Sequence, residues 1–283
     1  MMGRKDVSRR EFVALSLAAG LGAATRTTSA AELQVSEADV EVRTPDGICD
    51  AAFLYPAAGS HPGVLIWPDS PGLRPALRGL GRRLASEGYA VLVPNYLYRT
   101  GRAPVFGEPF DRVRNPADEE KYRRAIAPFL AAGAAERDAV AYVAFLDAQP
   151  QVNKAKKIGT HGYGLGGPYA LKTAAALPDR IGAGASFHGG LLVTDKPDSA
   201  HLLAPRIKAR LYFAIASDDD EREPEVRDKL IHTLAAAKVR AEIEVFANAR
   251  HGWCVPDHKP AADNKADAER AWRRLVALYR EAL

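Results

Sequence analysis

Residues 157–167 read Lys-Ile-Gly-Thr-His-Gly-Tyr-Gly-Leu-Gly-Gly, an apolar strand that runs into glycines and then into a helix. This is the outline of a nucleophile elbow, the strand-to-helix turn written G-x-S-x-G, whose middle residue projects an attacking side chain from the top of a sheet. The middle residue here is Gly164. Glycine adopts the strained angles of such a turn without a Cβ penalty, so the backbone of the turn is favoured while its attacking atom is missing. Three further stretches put polar groups after apolar runs: Asp69-Ser70, Asp218-Asp219-Asp220 and His251. An imidazole supplies a general base, and a buried carboxylate fixes its tautomer and stabilises its charged form. Ser70 and Cys254 are the alternative nucleophiles, although neither lies on the elbow.

Each feature also has a plainer reading. Gly162, Gly164 and Gly167 fit G-x-G-x-x-G, a turn that cradles phosphates. A dinucleotide fold places that turn in its first βα unit with an acidic residue about 20 residues on. This copy lies past mid-chain, and the nearest acid, Asp179, closes a Leu-Pro-Asp-Arg helix end. A lone histidine is more often a surface or core residue, and an aspartate run is more often a solvated loop or a helix cap before Pro224. Their joint occurrence, in the order elbow, acid, histidine, favours chemistry over coincidence.

The elements that must position these groups alternate in type. Residues 37–56 alternate apolar and polar about Pro45-Asp46-Gly47, which predicts a β-hairpin. Continuous apolar runs at 63–67 and 89–94 predict strands covered on both faces, with a helix over 75–87 between them. Strand, helix, strand in that order implies a right-handed crossover and a parallel sheet. Residues 95–116 form a long loop. Helices follow over 117–130 and 134–148, then the elbow strand and a helix to 176. A strand over 181–187 ends at His188-Gly189-Gly190, and a second long loop runs to Pro205. Strands over 209–216 and 241–246 flank a helix over 224–237, and a helix over 266–283 closes the chain. The pattern predicts an α/β fold with a mostly parallel twisted sheet of about eight strands and helices on both faces. In such sheets the ligand crevice lies beyond the carboxyl ends of the strands, where all four polar stretches fall.

With 283 residues, 47% hydrophobic and 26% charged, the chain has the composition of a soluble globular protein. Its formal charge of +4 is concentrated in residues 1–30, without which +1 remains, so composition gives no reason to expect nucleic acid or an anionic membrane as partner. Ser8-Arg9-Arg10-Glu11-Phe12-Val13, a weakly apolar stretch to Ala24 and small residues at Ser29-Ala30-Ala31 predict a twin-arginine export signal over residues 1–31, with 32–283 as a single domain in the periplasm or beyond. Cys49 and Cys254 are too few for a disulfide framework; they pair only if their Cα atoms lie within about 7 Å, and buried free thiols are the expected state. No spacing suggests a metal or a cofactor.

The sequence resembles the dienelactone hydrolase family, within the α/β-hydrolase fold. The resemblance is carried by Gly162-Tyr163-Gly164-Leu165-Gly166-Gly167, where the family has Gly-Tyr-Cys-Met/Leu-Gly-Gly, and by Ser186-Phe187-His188-Gly189-Gly190 and His251-Gly252-Trp253. Pro197-Asp198-Ser199 with His201-Leu202-Leu203 adds to it. It implies Asp219 as triad acid and His251 as base, with the N–H groups of Leu165 and Ser70 as oxyanion hole. It further implies Asp69, Arg99 and His188 as substrate-binding residues, Asp69 standing for a glutamate and Arg99 for an arginine that holds a substrate carboxylate. Gly164 stands where the family has its nucleophilic cysteine, so no acyl-enzyme forms at that position. The implied function is hydrolysis of lactones or small carboxylic esters through His251-activated water; the alternatives are a non-catalytic small-molecule binding protein that keeps the cleft, and a histidine-based isomerase.

Overall fold

The computed structural model describes residues 33–283 except 108, 109, 113 and the side chains of 261 and 262, so the expected export signal lies outside the described residues. The hairpin is β1 (Val35–Thr44) and β2 (Gly47–Pro56), antiparallel, with Thr44 opposite Gly47. Gly47 takes φ 142°, a value that L side chains rarely adopt, and the Thr44 hydroxyl donates to its carbonyl at 3.0 Å. The chain continues through β3 (Gly63–Trp67), α1 (Pro75–Ser86), β4 (Ala90–Pro94), α2 (Pro116–Ile126), α3 (Ala134–Ala148), β5 (Ile158–Tyr163), α4 (Gly166–Ala176) and β6 (Ile181–Phe187). A 3₁₀ helix (Ala200–Arg206), β7 (Arg210–Ala216), α5 (Ser217–Arg222), α6 (Pro224–Ala236), β8 (Ala241–Phe246), α7 (Lys259–Asp263) and α8 (Lys265–Ala282) complete it.

Eight strands form one sheet in the order β1-β2-β4-β3-β5-β6-β7-β8. From β4 to β8 all neighbours are parallel, and β2 joins β4 antiparallel. Every residue of β3, β4 and β5 is buried, as expected for strands covered on both faces. One face packs Trp67, Tyr142 and Tyr169 with residues of α2, α3, α4 and α6; the other packs Tyr163, Trp253 and Tyr279 with residues of α1 and α8. Helix α8 buries Ala271, Trp272, Leu275, Val276 and Tyr279, a stripe at helical spacing. Tyr279 lies 2.8 Å from Nδ1 of the buried His161 in β5; burial holds that imidazole neutral, its pKa lowered to about 3.

Because β3 pairs with β4 on one side and β5 on the other, the segments leaving β3 and β5 diverge at their carboxyl ends and open a crevice there. Three short helices lie in stretches without helical periodicity: the 3₁₀ helix, α5 and α7. Among the described residues no helix is long and apolar enough to cross a membrane.

Candidate functional site

The elbow sits at the β5–α4 junction, beside the crevice. Gly164 takes φ 49°, the left-handed region that the turn demands. Its flanking glycines are required by contact. A Cβ on Gly162 would lie 2.0 Å from the Gly166 carbonyl oxygen, one on Gly166 would lie 2.3 Å from that of Trp67, and one on Gly167 would lie 2.3 Å from Ser186 Oγ. Position 164 differs. The nearest heavy atoms to a Cβ there would be His251 Nε2 at 3.5 Å, His188 Nδ1 at 3.6 Å and Asp69 Cβ at 3.8 Å, all ordinary van der Waals distances. The turn therefore has room for a side chain at the one position whose family residue does the attacking.

Facing it is the imidazole of His251, half-exposed on the loop after β8. Two of the three aspartates after β7 hold it, and the third turns elsewhere. Asp218 accepts the main-chain N–H of His251 at 2.9 Å, Asp219 Oδ2 lies 2.8 Å from Nδ1, and Asp220 pairs with Arg227 at 2.7 Å. Burial acts to raise the Asp219 pKa, but hydrogen bonds from His251 and Arg222 outweigh it and hold the carboxyl below its ordinary range. An ionised Asp219 places the proton of a neutral His251 on Nδ1, leaving the Nε2 lone pair toward position 164. These aspartates fall in α5 rather than in an open loop, since acidic residues in a first turn complement the helix dipole.

His188 lies beneath, at φ 40°, with its ring 4.7 Å centroid to centroid from that of His251. Its Nδ1 accepts the Gly164 N–H at 3.1 Å. Burial first, and the neighbouring His251 second, push its pKa well below the ordinary value, so the ring is a neutral acceptor that steadies the elbow.

Asp69, at the end of β3, is 3% exposed and is gripped by Arg74 through both oxygens and by His258 Nε2 at 2.8 Å. Burial raises its pKa, yet the His258 and Arg74 hydrogen bonds prevail and keep it ionised. Arg74 continues to Asp257 at 2.8 Å. This cluster ties the β3 loop to the loop beyond His251, and its members Arg74, Asp257 and His258 were not foreseen from sequence. A histidine and two charges seven or fewer residues from recognised site residues were the available signal. Ser70 follows, and its main-chain N–H, like that of Leu165, has no hydrogen-bond partner among the described residues. The Ser70 hydroxyl lies 3.4 Å from both Arg112 Nη1 and Tyr122 OH, and no imidazole activates it. Cys254 lines another pocket, and burial pushes its thiol well above the ordinary range; Cys49 is fully buried, and both thiols are free.

Arg99 requires a correction. The structure spends its guanidinium on the buried Asp138, at 2.8 Å through two nitrogens, and on Asp46 at 2.6 Å, with the Tyr98 ring beneath it. It pins the β1–β2 turn to α3 and is not left free for a substrate carboxylate. Near Ser70 stands Arg112, half-exposed, stacked on Tyr122 and paired with Glu119 at 3.6 Å. Among the described residues no group of three or more His, Cys, Asp or Glu side chains is arranged to hold a metal ion.

A parallel sheet with an elbow at its switch point, followed by an aspartate and a histidine that meet over it, defines an α/β-hydrolase. Residues 50–283 match the model of the dienelactone hydrolase family, and the chain belongs to that family. A carboxymethylenebutenolidase from Rhodococcus opacus is 28% identical over 252 residues, covering 85% of this chain and 90% of that protein. Among solved structures, a dienelactone hydrolase-like promiscuous phosphotriesterase from metagenomic libraries superposes with a TM-score of 0.71 at 22% identity, covering 88% of this chain and 98% of that one. A dienelactone hydrolase from Anabaena variabilis does so at 0.63 and 21%, covering 88% and 99%. At these identities the solved structures speak for the fold alone.

Proposed function

We propose that the protein hydrolyses lactones or small carboxylic esters, with water activated by His251 in the role that the family gives to a cysteine. The observation that carries this reading is the position of His251 Nε2, 3.5 Å from where a side chain at 164 would begin, with Asp219 on its other nitrogen. A water between Nε2 and the substrate carbonyl gives its proton to Nε2 while its oxygen bonds to the carbonyl carbon. The oxyanion is held by the N–H groups of Leu165 and Ser70. Collapse breaks the ester C–O bond, and the leaving alkoxide takes the proton back from Nε2, yielding acid and alcohol. The carboxymethylenebutenolidase relative supports a lactone with a carboxylate nearby, for which Arg112, shared with Glu119 and beside Ser70, is the nearest cation to the oxyanion side. Enzymes stripped of their elbow nucleophile keep about 10³–10⁴-fold acceleration over water, the rate expected here.

Hydrolysis of p-nitrophenyl acetate and of a small enol lactone, compared between the native protein and His251→Ala, tests this. Loss of the rate in the variant supports the reading; equal rates refute it. Gly164 itself favours a second reading, a binding protein that keeps the site geometry without turnover, which predicts thermal stabilisation by a lactone that is recovered unchanged. The paired arginines at Arg9-Arg10 support action outside the cytoplasm, checked by fractionating cells that express the native chain and an Arg9→Lys/Arg10→Lys variant.

A further inference from the structure

The Asp69 carboxylate lies beside the elbow, its Cβ 3.8 Å from where a side chain at 164 would begin, yet it is not open to a substrate. Asp69 is 3% exposed, Arg74 takes both of its oxygens, and His258 Nε2 lies 2.8 Å from Oδ2. Facing an ionised carboxylate, a neutral His258 carries its proton on Nε2 and donates it. His258 makes a second contact. Gly252, at φ 92°, has no side chain to keep the imidazole away, and a Cβ there would lie 2.6 Å from His258 Nδ1. Gly252 directly follows His251. The stretch from Gly252 to His258 is closed by main-chain bonds from Val255 to the Gly252 carbonyl and from His258 to the Val255 carbonyl, both 3.0 Å, with Trp253 and Val255 fully buried. One imidazole therefore rests on the neighbour of the general base and bonds to the neighbour of Ser70.

What Asp69 steadies is a peptide plane. The Asp69 carbonyl and the Ser70 N–H belong to one planar unit and point in opposite directions. That carbonyl accepts the Gly72 N–H at 2.9 Å, Arg74 Nη1 donates to the Gly72 carbonyl at 3.2 Å, and the Tyr96 hydroxyl donates to the Ser70 carbonyl at 2.8 Å. The Ser70 N–H is thus fixed from both sides while it remains unbonded itself. We infer that His258 is a positioning residue: bridging Gly252 and Asp69, it sets the separation between the His251 base and the Ser70 N–H that receives the oxyanion. This rests on the hydrolytic reading, in which those two groups act on one carbonyl. Asp69 then works through Ser70, in place of the substrate contact that the family resemblance implies.

His258→Ala breaks the bridge, and His258→Gln places an amide N–H close to where Nε2 stands. A misplacement of about 1 Å between reacting groups costs on the order of 10²-fold in rate. With p-nitrophenyl acetate, His258→Ala is therefore expected to lower kcat per folded molecule by about 10–100-fold with KM within about twofold, and His258→Gln to recover most of the loss. His258→Phe, which keeps a ring on Gly252 without the donor, is expected to behave as alanine does and serves if the alanine variant does not fold. In ¹⁵N-labelled protein the Ser70 amide resonance reports on that N–H directly; it is expected to shift or broaden in His258→Ala and to return in His258→Gln. If the cluster only held the fold together, His258→Ala would lower the urea midpoint and leave kcat per folded molecule unchanged, and that result overturns the inference. So does a loss confined to KM, a native Ser70 resonance in His258→Ala, or a glutamine variant no better than alanine. A native protein without turnover defeats the hydrolytic reading instead, and the Ser70 resonance then decides whether His258 holds that N–H.

Discussion

Replacing Gly164 by cysteine puts the attacking atom back and tests whether the rest of the site is intact. The substitution has a calculable cost. No atom lies within 3.4 Å of the new Cβ, so sterics contribute little, but a non-glycine residue at φ 49° costs about 1–2 kcal/mol. Urea unfolding of Gly164→Cys should therefore show a loss of that size. The Sγ, one bond beyond a Cβ already 3.5 Å from His251 Nε2, comes within hydrogen-bonding reach of the imidazole, which lowers the thiol pKa. With p-nitrophenyl acetate the variant should release a burst of about one nitrophenolate per chain and react on the order of 10²-fold faster than the native protein. Deleting an elbow nucleophile in an evolved enzyme costs about 10⁶ in kcat, and an unoptimised replacement recovers part of that. A folded variant with no burst, whose introduced thiol titrates like a free cysteine toward iodoacetamide, would show that His251 does not serve position 164. A stability loss beyond about 4 kcal/mol would show that the position is closed.

Three further outcomes are expected. Gly162→Ala, whose Cβ would meet a backbone oxygen at 2.0 Å, should unfold the protein or cost several kcal/mol, whereas Gly164→Ala costs about 1–2 kcal/mol; paired denaturation curves compare them. His161 is held neutral down to about pH 3 and His188 below its ordinary range as well, while unfolded histidines protonate near 6.5. The unfolded chain then binds more protons, so stability falls as pH drops from 7 to 5, by about 2 kcal/mol for His161 alone; His161→Phe should remove that share of the loss in urea titrations, and an unchanged slope would refute the assignment. Arg99→Met strands the buried Asp138 carboxylate and should cost about 3–5 kcal/mol in unfolding experiments, while ester hydrolysis per folded molecule stays unchanged; a selective rise in KM for carboxylate-bearing lactones would instead restore Arg99 to the binding site.

The framework was legible because its signals are local. Runs such as Gly63–Trp67 and Ala90–Pro94 are apolar throughout, and α8 repeats its buried residues at helical spacing, so strand and helix declare themselves within a few positions. The joint placement of His251 and Asp219 over Gly164 was legible from chain order, which the sheet converts into proximity. What escaped were partnerships across the chain. Asp69 meets His258 from 189 residues away, and Arg99 meets Asp46 and Asp138 from 53 and 39. A cation after a tyrosine-rich strand end looks the same whether it faces a ligand or a buried carboxylate, and only the fold brings Asp138 beneath it. The aspartate run shows the same limit: three identical residues hold three different partners, and nothing in their spacing separates Asp218 on a main-chain N–H from Asp219 on an imidazole ring.

The crowded glycines around the elbow bear on how this protein can change over generations. Positions 162, 166 and 167 admit no side chain, so they hold the bend whatever occupies 164. Glycine codons that end in a pyrimidine stand a single base from those for cysteine and for serine. A lineage carrying such a codon can lose or regain a covalent mechanism by point mutation, at a location where the surrounding main chain has no need to adapt.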